Sequence, residues 1–135
     1  MDMARALAIS ASGMDAQTSR LRVIAENLAN QDTTGSTPGA DAYRRKVVTF
    51  ENRVDAALGT ETVRLKRIST DKSPLPTRYD PQHPAADAQG YVRTSNVNSF
   101  IEVMDMREAQ RAYSANLNVL EATRGMLTRT IELLK

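Results

Sequence analysis

The sequence predicts a mainly α chain, with long N- and C-terminal helices packed as a coiled-coil-like pair and a small irregular β-containing insert between them. Three observations carry this. Apolar residues recur every seven positions at both ends of the 135-residue chain, a spacing that puts side chains on one stripe of a helix. All five Pro lie between residues 38 and 84, so neither end is broken. Both apolar seams run for about four heptads, and matching lengths favour pairing. The expected divisions are residues 1–34 for the first helix, 35–97 for the insert and 98–135 for the second helix.

The first helix is expected over about residues 2–30. Leu7, Met14, Leu21 and Leu28 form its row, with Met3 and Ile24 as companions. Ser10 and Gln17 weaken the middle of the stripe, and Gly13 costs about 1 kcal/mol against Ala inside a helix. Alone, such a helix is marginal.

The insert changes character. Gln31 to Asp41 holds Gly35, Pro38 and Gly39 among Ser, Thr and Asp and reads as a loop. Short strands are expected at Tyr43–Phe50 and Thr62–Ile68, and Gly90–Arg93 is a further candidate. Pro74, Pro76, Pro81 and Pro84 forbid regular helix or central strand between them.

The second helix carries Met106, Tyr113, Leu120, Leu127 and Leu134 at heptad spacing, with Leu117 and Ile131 as companions and Gln110 and Arg124 as polar breaks. Asn98 or Ser99 can cap it, and Glu102 suits the first turn of its dipole. A second apolar row, Ile101, Met104, Ala112, Ala115, Val119, Ala122, Met126 and Leu133, lies on a neighbouring face. One partner helix covers one stripe, so two stripes call for burial on two sides, by the insert or by other subunits.

Composition narrows the function. Leu, Ile, Val and Phe make up one fifth of the chain, a thin private core that needs neighbours to cover its apolar faces. With no Trp, four Tyr and two Phe, an aromatic ligand pocket is not expected. The absence of Cys removes disulfides, thiolate metal sites and thiol nucleophiles. No secretory signal peptide is read at the N-terminus, and no stretch is long and apolar enough to span a membrane. The net charge of +2 lies entirely in the middle segment, and the neutral ends tolerate self-association.

Candidate chemical groups are few. His83 is the only histidine; Asp80 and Asp87 flank it, too few ligands for a metal. No phosphate loop, nucleophile elbow or zinc motif is present, so no catalytic residue, metal or cofactor is expected. Arg44-Arg45-Lys46 and Arg64, Lys66 and Arg67 form basic clusters that read as solvated faces or matches for acidic partners, not as a nucleic-acid surface. Asn27 and Asn30 read either as a helix C-terminus or as amides that hold neighbouring subunits in register.

Ser12-Gly13-Met14-Asp15-Ala16-Gln17, then Ile24-Ala25-Glu26-Asn27-Leu28-Ala29-Asn30, resembles the signature of the flagellar rod and hook family, whose first helical segment ends in Asn-x-x-Asn. Glu102-Val103-Met104 and Gln110-Arg111-Ala112-Tyr113-Ser114-Ala115-Asn116 resemble the family's second block. Tyr79-Asp80-Pro81-Gln82-His83-Pro84, Ala86-Asp87, Gly90-Tyr91-Val92 and Asn96-Val97-Asn98 are similar to its FlgC-type, proximal-rod branch. Ser95 stands where that branch usually has Pro, and the loop Gln31-Asp32-Thr33-Thr34-Gly35 is unusual for it.

The resemblance implies a structural subunit that is not an enzyme. It implies export through the flagellar type III apparatus without a cleaved signal, then assembly into the periplasmic rod that transmits torque for motility. Its terminal helices would form the inner, axial layer of a tube. Its partners would be further copies of itself, the rod proteins FlgB, FlgF and FlgG, and the FliE adaptor at the membrane ring, with no nucleic acid and no direct membrane insertion. The competing reading is a cytoplasmic helical adaptor or export chaperone.

Overall fold

The computed structural model describes residues 3–135. The expected helix start at residue 2 lies outside them. In chain order the elements are α1 (Met3–Ala29), β1 (Lys46–Asp55), β2 (Thr60–Thr70), β3 (Thr77–Tyr79), β4 (Tyr91–Arg93) and α2 (Ser99–Leu133). Of the described residues, 47% are helical and 20% are in strands. The fold is therefore mixed α/β with a helix at each end, which corrects the mainly α expectation. The reason lies in β1 and β2, which run for 10 and 11 residues and extend beyond their apolar cores. Ladder hydrogen bonds are made by the backbone and continue through polar side chains that a periodicity search passes over.

β1 and β2 form one two-stranded sheet, and β3 and β4 form another. The β1–β2 turn is built around Asp55. Its carboxylate accepts the N–H groups of Ala57 (3.0 Å) and Leu58 (3.3 Å), and its carbonyl accepts that of Gly59 (2.7 Å). Gly59 has φ +60°, a conformation that a side chain disfavours.

The chain divides into two compact units. The first holds residues up to Leu21, Val48–Arg67 and Met106–Lys135. In it α1 and α2 come very close: a Cβ on Gly13 would lie 2.8 Å from Nδ2 of Asn116. The glycine that weakens the isolated helix is what lets the second helix in. Ser10, Ala16, Ala109 and Thr123 are the buried side chains here, all small. Thr123 and Asn116 turn their donors onto carbonyls of their own helix, Val119 (2.8 Å) and Ala112 (3.1 Å). Oγ of Ser12 accepts the Val63 N–H of β2 at 3.3 Å, and Arg20 pairs with Glu108 at 3.4 Å.

The second unit holds Arg22–Val47 and Ile68–Asp105. β3 and β4 pair antiparallel, with Thr77 opposite Arg93, Arg78 opposite Val92 and Tyr79 opposite Tyr91. Alternation sends Val92 inward, fully buried, and the two tyrosines outward as an edge-to-face pair 5.3 Å apart. Gly90, at φ +86°, leaves room for the Tyr79 ring, which a Cβ there would approach to 3.0 Å. Asn98 caps α2: its side-chain oxygen accepts the N–H groups of Phe100 (3.1 Å) and Ile101 (3.4 Å).

Candidate functional site

In the second unit the backbone of Arg45 and Lys46 is gripped by two asparagines. Asn27, only 1% exposed, treats Lys46 as a neighbouring strand would. Its Nδ2 donates to the Lys46 carbonyl and its Oδ1 accepts the Lys46 N–H, both at 2.9 Å. Oδ1 also accepts from the Tyr43 hydroxyl (2.8 Å), and Nδ2 also reaches Glu102 (3.4 Å). Both donor hydrogens and both acceptor directions of the amide are thereby used within the chain. Asn96 does the corresponding work on the neighbouring residue. Its Oδ1 accepts the Arg45 N–H at 2.7 Å, and its Nδ2 donates to the carbonyls of Asp71 (3.1 Å) and Ser73 (3.3 Å).

Glu102 has no exposed surface. A buried carboxylate needs a cation, and the Arg45 guanidinium supplies it through a close Nε–Oε1 contact. The same guanidinium reaches Asp105 at 3.5 Å and Asp71 at 3.8 Å. Beside this hub Lys46 pairs with Glu26 at 2.5 Å, a hydrogen bond that raises the lysine pKa above its ordinary value. Burial raises the pKa of Tyr43, and the negative charges of Glu26 and Glu102 push it the same way. Asp71 moves down, first through its bond from the Ser73 hydroxyl, then through the Ser73 N–H and the arginines.

Asn30 serves the end of α1, donating from Nδ2 to the Glu26 carbonyl at 2.9 Å. Leu28 beside it is half-buried. The sequence blocks thus meet in pairs. Gly13 of the first block packs on Asn116 of the second, and Asn27 bonds Glu102. Within the second block Ala112, Tyr113 and Asn116 are half-buried and Arg111 is exposed.

Of the seam positions, Ile24 is buried, and Leu7, Met14, Leu21, Met106, Tyr113, Leu117 and Leu120 are half-buried. Leu127, Ile131 and Leu134 are exposed, at 38%, 50% and 83%. From Arg124 to Lys135 every residue is exposed. On the second row of α2, Val119, Met126 and Leu133 are exposed in the first unit, and Ile101 and Met104 in the second.

The loop between β3 and β4 is held by its own polar groups. The Asp80 carboxylate lies 3.7 Å from Arg78, and that of Asp87 accepts the N–H groups of Gln89 and Tyr91, each at 2.9 Å. Pro81 lies against Gly90, Pro84 is exposed and Val97 is half-buried. His83 stands between Thr34 and the Ala85 N–H.

Sequence reasoning placed Arg45 in a solvated basic cluster and Glu102 in a helix-dipole role, and so missed the hub. One signal was available: Asn27 follows the inward Ile24 by three residues, on the same helix face. Among the described residues no cluster of His, Cys, Asp or Glu suits a metal ion, and no helix is long and apolar enough to cross a membrane. The arrangement is one of packing surfaces and internal clamps.

Known proteins resemble this chain along its whole length. Residues 7–37 match the family described as flagella basal body rod protein, and residues 88–133 match the flagellar basal body rod FlgEFG protein C-terminal family. The flagellar basal-body rod protein FlgC of Agrobacterium fabrum is 50% identical over 127 residues, covering 94% of this chain and 91% of that protein. FlgC of Salmonella typhimurium is 40% identical, covering 93% and 92%. FlgC of Borreliella burgdorferi is 35% identical, covering 100% and 99%. At such identity over nearly complete chains, this chain belongs to the flagellar basal-body rod protein family, as a structural rod subunit of the FlgC type.

Proposed function

We propose that the chain is a subunit of the proximal rod, has no enzymatic activity, and builds the periplasmic shaft that transmits torque. The observation that carries this is the uncovered end of α2. Met126, Leu127, Ile131, Leu133 and Leu134 all lie in the stretch where every residue is exposed. Leaving five large apolar side chains in water forgoes roughly 1.5–3 kcal/mol for each one a neighbour could bury. Further copies of the chain and the other rod proteins FlgB, FlgF and FlgG, with the FliE adaptor, are the partners that fit this reading. Delivery by the flagellar type III export apparatus without a cleaved signal, and assembly through residues 1–34 and 98–135 as the inner, axial layer with residues 35–97 further out, complete it.

Leu127→Asp tests the proposal. The side chain is already exposed, so the subunit folds and is secreted as before. A buried carboxylate at the assembly contact is costly, so rod formation and swimming are lost. Normal swimming with Leu127→Asp would contradict the proposal.

A further inference from the structure

The β3–β4 ladder holds two tyrosine rings against each other at the surface. The Asp80 N–H bonds the Gly90 carbonyl at 2.9 Å, and the Thr94 N–H bonds the Pro76 carbonyl at 2.7 Å. Alternation between those two bonds leaves Tyr79 and Tyr91 as a non-hydrogen-bonded pair, the kind whose side chains stand closest. Their rings meet edge to face, with centroids 5.3 Å apart. Both stay within reach of solvent, at 65% and 47% exposure. Cε2 of Tyr79, a carbon ortho to the hydroxyl, lies over Gly90, the residue before Tyr91. The other two tyrosines are set differently: the Tyr43 hydroxyl is bonded to Asn27, and Tyr113 is half-buried on α2. With no Cys and no Trp in the chain, the phenols face no thiol or indole that would take up a radical first.

We propose that Tyr79 and Tyr91 form an oxidative coupling site, at which a one-electron oxidant of the peroxidase class joins the two rings and staples the β3–β4 loop shut. Each phenol gives up one electron and one proton. The two phenoxyl radicals carry spin on their ortho carbons, and a Cε–Cε bond forms between the rings. Each joined carbon then releases its hydrogen as a proton, and each oxygen takes one up. In all, two hydrogen atoms leave the protein, and one hydrogen peroxide becomes two waters. A phenoxyl radical standing alone at a surface must wait for a second molecule. Here the ladder already holds the second ring in place, so coupling within one chain outruns coupling between chains. The staple closes residues 79–91 into a covalent loop, which a chain without Cys cannot do through a disulfide.

The coupling needs no assembly partner and can be read on the purified full chain. The dilute protein is treated with a haem peroxidase and limiting hydrogen peroxide. Dityrosine fluorescence should appear in the monomer band. Trypsin, cutting after Arg78 and Arg93, should release residues 79–93 as one peptide lighter by two hydrogens. Further cleavage before Asp87 should leave its two halves joined. Tyr79→Phe keeps a ring over Gly90 and removes the phenol, so the joined peptide should vanish. Tyr113→Phe should leave its yield unchanged. In denaturant, where the ladder no longer holds the rings together, the yield within the chain should fall roughly tenfold. Crosslinks found between chains in place of the joined peptide, a joined peptide that persists in Tyr79→Phe, or an equal yield in denaturant would each overturn the assignment.

Discussion

Helix α1 buries an amide in each unit, and the two fare differently. In the first unit the Gln17 side-chain oxygen is buried with no hydrogen-bond partner among the described residues. In the second, Asn27 uses every donor and acceptor it has. The surroundings differ in the same sense. The first unit is closed by small side chains around Gly13 and Asn116, half-buries Tyr113 and Leu120, and leaves Met126, Ile131 and Leu133 exposed. The second closes on a carboxylate with no exposed surface, matched by one guanidinium. Small side chains meeting over a glycine give close approach with little directional demand. A buried polar hub fixes one geometry, because any other leaves a charge or an amide group without its partner. Both units leave apolar side chains in water, Met126, Ile131 and Leu133 in the first and Phe100, Ile101 and Met104 in the second, so the difference between them lies in how each closes its interior.

That contrast can be broken most sharply at Glu102. Glu102→Ala opens a cavity beside Arg45, which keeps only the more distant Asp105 and Asp71, and leaves one of the two Nδ2 hydrogens of Asn27 without an acceptor. Removing one member of a buried ion pair typically costs about 3–5 kcal/mol, so denaturant unfolding followed at the Lys46 amide should show a loss of that order. A loss within the range of a surface substitution would mean that the hub is no more demanding than the helix contact.

A smaller effect is expected at Gly13. Gly13→Ala gains helix propensity worth about 1 kcal/mol. It also pushes the Asn116 amide aside, and overpacking of this kind costs about 2 kcal/mol. The net is a destabilisation of about 1 kcal/mol. Asn116→Ala in the same chain should remove the clash and turn the glycine substitution favourable. Additive single and double variants would show that the two residues do not press on each other.

The smallest effect is at Asp71. Its folded pKa is lowered, with the Ser73 hydroxyl as first cause, so its contribution is present above the ordinary carboxylate range. That contribution is lost as the pH falls through the lowered folded value. NMR titration of the carboxyl group should show Ser73→Ala moving it back up toward the ordinary range, while the Ser73 N–H still holds it partly down. An unchanged titration would assign the shift to the Ser73 N–H and the arginines instead.

Much of the secondary structure was legible because it rests on local signals. Pro-free ends, heptad spacing and Asn98 announce α1 and α2, and the cap is in place. Leu7, Leu21 and Leu120 show their period along the chain, which needs no knowledge of the partner. The strands were harder. The segment Glu51–Asp55 is almost entirely polar and belongs to β1 all the same, because pairing with β2 is a backbone matter. This is how a mixed fold passed for a mainly α one.

The hub was not legible. Asn27, Arg45, Asn96 and Glu102 are separated by 18, 51 and 6 residues along the chain. Nothing local distinguishes a buried glutamate from one that merely favours a helix N-terminus. Gly13 was misleading for a related reason: alone it is a cost to the helix, and only the presence of Asn116 makes it an opening.

The sequence by itself determined the terminal helices, the apolar rows that exceed what one chain covers, and the family to which those blocks point. It did so because periodicity, caps and motifs are written in neighbouring residues. Only the tertiary structure decided that the insert contributes two strands of ten and eleven residues, that Gly13 and Asn116 share one space, and that Glu102 is a buried counterion to Arg45. Those facts depend on residues brought together from distant parts of the chain, where desolvation and geometry, not local propensity, set the role of each side chain.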